Sequence, residues 1–271
     1  MPYLHANGIR LSYERSGRGE SVLLIMGSGA AGRVWTMHQT PALHRAGFET
    51  IVFDNRGIAP SDVPPGKYSF ADMVADTKGL IDALDLAPCR LVGLSLGALI
   101  AQELAVRHPE SVHSAVLIAT RARSDAFRRA QTLADRSVAQ DGVRLPPAYR
   151  ALDTAMLMLS PTTLNNDAAA AMWLEVFELA GDADASAGQA WVDLDVDRRA
   201  ELGRIDVPCR VVAFADDVIA PVHLAAEVAE AIPNCDLVTI PDAGHLGHLE
   251  RPEEVNSVIV EFLEKHREEV P

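Results

Sequence analysis

The chain has 271 residues, with 24 Lys and Arg against 38 Asp and Glu, a formal charge of −14. Hydrophobic residues make up 48% and charged residues 23%, near globular averages, which argues against disorder, collagen and a disulfide-dense miniprotein. The acidity argues against a nucleic-acid binder or a polybasic membrane patch, and it biases mildly against anionic substrates.

No charged segment followed by an apolar run opens the chain, and no apolar stretch approaches the ~18 residues of a membrane helix, so a cytoplasmic location is expected. Alternating runs at 3–6 and 9–14 flank Asn7-Gly8, a hairpin signal. Short apolar runs without alternation follow at 21–26, 50–54, 90–94, 114–119, 210–214 and 236–240, as expected for strands buried on both faces. Cys89, Cys209 and Cys235 each precede such a run and read as small buried residues, with no metal spacing and no disulfide framework. Helical spacing marks 69–84 and 97–107. A last helix begins at Pro252 with Glu253 and Glu254 and ends in Lys265, His266 and Arg267.

Two antiparallel strands and six strands alternating with helices imply an eight-stranded, mostly parallel α/β sheet with helices on both faces. Residues 121–205 break the rhythm. This Ala-rich stretch, with Pro146, Pro147 and Pro161 as breakers, reads as a helical cap inserted into a core of residues 1–120 and 206–271. Within it, residues 193–197 hint at a calcium loop. Arg198 stands where the loop needs Gly and Arg204 where it needs Glu, so no metal is expected and the stretch reads as a solvated acidic surface.

Two motifs compete. Gly27 to Gly32 spell G-x-G-x-x-G, with Asp54 at the end of the next strand, as in a dinucleotide-binding unit. The hairpin before it and Pro41 soon after weaken that reading, and no cofactor is expected. Gly93-Leu94-Ser95-Leu96-Gly97 spell G-x-S-x-G between a strand and an apolar helix, the nucleophile elbow. An elbow calls for an acid and then a His after later strands. Asp216 and Asp217 follow the 210–214 strand, and His245 follows the 236–240 strand. Asp125 and His248 are rival candidates. The chemistry needs convergence, because a serine hydroxyl attacks only once a His removes its proton and an acid fixes the His. The residue after the nucleophile, Leu96, is one backbone donor for an oxyanion.

The strings VGLSLG, ADDVIAP and PDAGHLGHLERPEEV resemble the α/β-hydrolase superfamily, and with GAAGRVWTMHQ and VFDNRG the cofactor-free haloperoxidase-like branch. The resemblance covers nearly the whole chain. It implies an acid four residues before a Pro, hence Asp217 before Pro221, and a second oxyanion donor at Ser28. Met26 stands where relatives carry His. The expected function is a serine hydrolase acting on an ester, thioester or lactone, with Trp35, Met156, Trp173 and Phe177 lining an apolar acyl pocket under the cap. The resemblance also implies peracid formation as an alternative, and an acyl transfer or cyclisation remains open. A nucleotide-dependent reductase and a non-catalytic binding fold are the readings of other classes.

Overall fold

The computed structural model describes residues 2–180 and 188–267. Asn7 and Gly8 both take positive φ, 47° and 77°, as a tight hairpin turn requires. They join β1 (Tyr3–Ala6) to β2 (Ile9–Gly17). The six apolar runs form β3 (Ser21–Ile25), β4 (Glu49–Phe53), β5 (Cys89–Leu94), β6 (Val112–Ile118), β7 (Cys209–Phe214) and β8 (Cys235–Ile240).

The strand order is β1-β2-β4-β3-β5-β6-β7-β8. Strand β2 runs antiparallel to β1 and β4, and the remaining pairs are parallel. Successive side chains alternate faces. Leu23 and Ile25 therefore join one apolar cluster, while Val22 and Leu24 join the other. Strand order reverses around β3, which lies between β4 and β5. The crevice at the carboxyl ends of β3 and β5 is where such sheets bind ligands.

Helices α1 (Gln39–Arg45), α2 (Phe70–Ala83) and α3 (Leu96–Arg107) follow β3, β4 and β5. Ser69 and Asp72 form a reciprocal capping box that starts α2, and its 3- and 4-spaced residues Met73, Thr77, Leu80 and Ile81 are buried. Between β6 and β7 lie α4 (Ala126–Gln140), α5 (Pro147–Met158), α6 (Pro161–Leu164), α7 (Asp167–Leu179) and α8 (Arg199–Leu202). Residues 181–187 of the expected insertion lie outside the described residues. Pro147 and Pro161, expected as breakers, instead open α5 and α6 at their first positions, where a missing N–H costs nothing. The chain returns to the sheet with α9 (Val222–Ala231), α10 (Gly247–Glu250) and α11 (Pro252–Lys265).

The three cysteines open β5, β7 and β8 as free thiols, and burial pushes Cys89 and Cys235 up to about 12. That keeps both protonated and unreactive near neutral pH. Among the described residues, no helix is long and apolar enough to cross a membrane.

Candidate active site

Ser95 sits between the end of β5 and the start of α3, with φ 51° and ψ −114°. This is a costly conformation for a residue with a side chain. Its surroundings hold it there. Its N–H donates to Ile118 of β6 at 2.9 Å, and its carbonyl accepts from Ala98 and Leu99 at 3.0 and 3.1 Å. The two motif glycines are needed for close backbone approach. A Cβ on Gly93 would stand 2.4 Å from the Gly97 carbonyl oxygen, and one on Gly97 only 2.0 Å from that of Ile25 in β3. The turn thus lifts the Ser95 side chain above the sheet, at the N-terminus of α3.

Strand β7 leads into Asp217, which is 3% exposed. Its Oδ2 lies 2.8 Å from Nδ1 of His245, and its Oδ1 accepts the N–H groups of Ile219 and Ala220 at 2.8 and 2.9 Å. Burial pushes this carboxyl up, but the His245 charge and these hydrogen bonds outweigh it, so its pKa lies below the ordinary value. An ionised carboxylate can only accept, so Nδ1 of His245 is the donor in this contact, and in a neutral imidazole Nε2 is then the free acceptor. Asp216 forms no hydrogen bond with His245 among the described residues and donates its N–H to the Ala243 carbonyl at 3.0 Å. Asp125 caps α4 through the Arg128 N–H at 2.8 Å and faces His223 at 3.4 Å.

His248 is 1% exposed, packs on Trp35 with ring centroids 5.5 Å apart, and has no hydrogen-bond partner for either ring nitrogen among the described residues. Burial, then the charges of His245 and His38, push it from 6.5 down to about 3. Between those values the unfolded chain binds a proton on His248 that the folded chain does not, so this residue makes stability fall as pH drops. The slope is at most ~1.4 kcal/mol per pH unit. Denaturant unfolding of His248→Leu from pH 7 to pH 4 is expected to show a shallower loss than wild type. Parallel curves would show that His248 binds its proton alike in the folded and unfolded states.

The loop after β3 packs against the elbow, since a Cβ on Gly27 would meet the Ser95 Cβ at 3.4 Å. Leu96 is the first residue of α3, so its N–H lacks a partner inside the helix. The Ser28 hydroxyl and the Gly29 N–H both donate to Oε1 of Gln189, at 3.1 and 2.9 Å. Gln189 Nε2 donates in turn to the Arg56 carbonyl at 2.7 Å. This buried glutamine comes from the stretch between β6 and β7, and no sequence pattern marks it. Glu250 ties the opposite side, accepting from Gly244 N–H at 2.7 Å and from the Ser160 N–H and hydroxyl at 2.9 and 2.8 Å.

The glycine motif has a different use from dinucleotide binding. Asp54 is buried and accepts the Gly32 N–H at 2.8 Å, so it is not presented to a ribose. A Cβ on Gly32 would stand 2.3 Å from the Phe53 carbonyl oxygen, and a short 3₁₀ segment (Gly32–Met37) replaces the long helix that would face a pyrophosphate.

A cavity of about 330 Å³ is lined by Ser28, Ser95 and Leu96 and, from the stretch between β6 and β7, by Arg121, Arg128 and Gln189. The four expected lining residues are elsewhere. Trp35 is fully buried in the core with Val22 and Leu43. Met156 is 63% exposed, and Trp173 stacks on Phe177 at 5.4 Å on α7, which packs on α5. Helix–helix packing has claimed part of that apolar stripe, and the cavity wall is charged. Asp193 and Asp195, expected as solvated surface, also line it. A larger cleft of about 770 Å³ shares Arg121 but contains none of Ser95, Asp217 and His245.

A sharp turn at the carboxyl end of β5, with an acid and a His after β7 and β8, is an arrangement found in enzymes that work by acyl transfer. The α/β hydrolase fold family matches residues 20–252, and the chain belongs to it. A protein of Mycobacterium tuberculosis H37Rv that carries the name non-heme bromoperoxidase BpoC is 44% identical over 257 residues, covering 94% of this chain and 98% of that one. Its crystal structure matches with a TM-score of 0.91 at 42% identity, over 95% of this chain and 97% of that chain. The pimeloyl-[acyl-carrier protein] methyl ester esterase of Chromobacterium violaceum is 31% identical over 262 residues, covering 94% and 99%.

Proposed function

We propose that this protein is a serine hydrolase that cleaves an ester-type carbonyl through an acyl-enzyme. The observation that carries the reading is the 2.8 Å bond from His245 Nδ1 to a buried Asp217 carboxylate, itself fixed by two backbone N–H groups. In this reading the bare Nε2 of His245 takes the Ser95 proton as Oγ attacks the carbonyl carbon. The backbone N–H groups of Leu96 and Ser28 hold the oxyanion, and His245 returns the proton to the leaving group. Water, activated by the same His245, then releases the acid and restores Ser95. Residues 121–205 act as a cap that walls the site. Gln189, which bonds Ser28 and Gly29, is a positioning residue for the donor loop.

The BpoC name favours a second reading, in which hydrogen peroxide replaces water on the acyl-enzyme and yields a peracid. Both readings require the same covalent intermediate. A fluorophosphonate probe read by intact mass is expected to add one phosphonyl group to the wild-type protein and none to Ser95→Ala. An unlabelled wild type would sink both readings. Peroxide added during ester turnover then separates them, since peracid must appear at a rate comparable with hydrolysis for the second to hold.

A further inference from the structure

We propose that the cavity beside Ser95 selects acyl chains that end in a carboxylate, received by the guanidinium of Arg121 with Arg128 beside it. The inference rests on the hydrolase reading above.

Arg121 lies three residues past the end of β6 and is 5% exposed. Its Nε has no hydrogen-bond partner among the described residues, and only its backbone carbonyl is used, accepting from Gln102 at 3.4 Å. A buried guanidinium without a partner is costly, and native structures rarely leave one so. Burial pushes it down to about 10, so it still carries its charge near neutral pH. Asp217, Asp125 and Asp195 act on it only through space, with no ion pair formed among the described residues. Arg128, in the first turn of α4, lines the same cavity with its Nε buried and unpartnered, while its Nη1 donates to the Gln131 side chain. Arg136 adds a third such Nε on the same wall.

The remaining charges set the class of anion. Arg129 is engaged by the Ser124 carbonyl at 2.6 Å and by Asp195 at 3.8 Å. Asp135, Asp193 and Asp195 line the cavity too. Positive charge therefore exceeds negative by about one within these walls, which suits a single carboxylate better than a phosphate dianion. Guanidinium groups match the two oxygens of a carboxylate, and such charged hydrogen bonds are stronger than neutral ones. The cavity runs from Ser95, Ser28 and Leu96 to these arginines, and its 330 Å³ is near the lower end for small-molecule sites. A short acyl chain thus places its carbonyl at the elbow and its tail at Arg121. The chain's net charge of −14 does not oppose this, because surface charges are screened beyond ~8 Å in physiological salt, whereas a partly closed site feels its own walls.

The test compares two matched substrates, 4-nitrophenyl hydrogen adipate and its methyl ester, on wild type, Arg121→Gln, Arg121→Lys and Arg128→Gln. Wild type is expected to favour the acid in kcat/KM by roughly 10- to 100-fold, the size of a charged hydrogen bond to a buried partner. Arg121→Gln is expected to bring that ratio near one, chiefly through KM, with Arg121→Lys between. A wild-type ratio of one or less, or a ratio unchanged in the arginine variants, overturns the proposal while leaving the hydrolase reading intact. If Arg121→Gln fails to fold by circular dichroism, the less buried Arg128→Gln carries the comparison. If neither ester is turned over and the fluorophosphonate does not label Ser95, the hydrolase reading has failed. Calorimetric titration with adipate then decides the anion site alone: binding that weakens in Arg128→Gln supports it, and no binding to wild type overturns it.

Discussion

Asp217→Asn is expected to lower turnover by ~10⁴-fold with little change in folding, as loss of the triad carboxylate does in the serine-protease template. The geometry gives the reason. Oδ1 must keep accepting from the N–H groups of Ile219 and Ala220, so the amide oxygen of the new Asn stays on that side. Its NH₂ is then forced toward Nδ1 of His245, where the carboxylate now accepts at 2.8 Å. Two donors cannot share that contact, so the His proton moves to Nε2. A protonated Nε2 cannot accept from Ser95, and the general base is lost although every heavy atom stays in place. Asp216→Asn, whose backbone but not side chain is tied to the neighbouring loop, is expected to change turnover by less than about threefold, within the range of surface substitutions. Steady-state kinetics on one activated ester, with thermal melts of all three proteins, reads both effects. Similar small losses in the two variants would show that neither carboxylate serves His245.

The sheet was legible because buried parallel strands leave uninterrupted apolar runs, and the order of those runs with intervening helical periods implies the topology. The elbow was legible because its glycines answer to backbone contacts of 2.4 and 2.0 Å that no other residue tolerates. Adjacent aspartates were harder. The residues after β7 do not reveal which carboxylate turns inward, and spacing to Pro221 came from family resemblance. The structure supplies the missing term, because only Asp217 finds two backbone donors and a histidine together. The cavity wall was not legible at all. An apolar stripe at 156, 173 and 177 reads equally as a pocket lining or as helix packing, and the relative rotation of α5 and α7 decides between them. Arg121 and Gln189 are single polar residues without a period, so only the tertiary structure shows that one is buried without a partner and the other bridges the loop at Ser28 to that at Arg56. Asp54 is the converse case. Its spacing from the glycine loop is real, but it records a hydrogen bond within the protein and not a ribose contact.

The same close contacts make Gly97→Ala the substitution expected to damage the fold most. A Cβ at this position would lie 2.0 Å from the Ile25 carbonyl oxygen, 2.6 Å from its carbon and 3.0 Å from the Met26 carbonyl oxygen. All three atoms belong to backbone at the end of β3, the strand at the centre of the sheet, so no flexible side chain can yield. Either α3 lifts from the sheet or β3 shifts in register with β4 and β5. Ordinary overpacking costs ~1–3 kcal/mol where side chains can adjust, and a backbone obstruction lies above that range. At ~2–4 °C per kcal/mol for a domain near this size, the melting temperature is expected to fall by about 10 °C. Activity should fall further than stability alone explains. Ser95 keeps φ 51° only while α3 is pressed against β3, and the Leu96 N–H moves with it. Gly203→Ala is the matched control. Its Cβ would meet nothing closer than 3.5 Å, its φ of −61° suits any residue, and it is expected to be neutral or stabilising by up to ~1 kcal/mol. Calorimetric melts together with fluorophosphonate labelling rates at 25 °C separate the two effects. A Gly97→Ala protein that melts like wild type and labels at the wild-type rate would show that the close approach of α3 to β3 is not needed to hold the elbow.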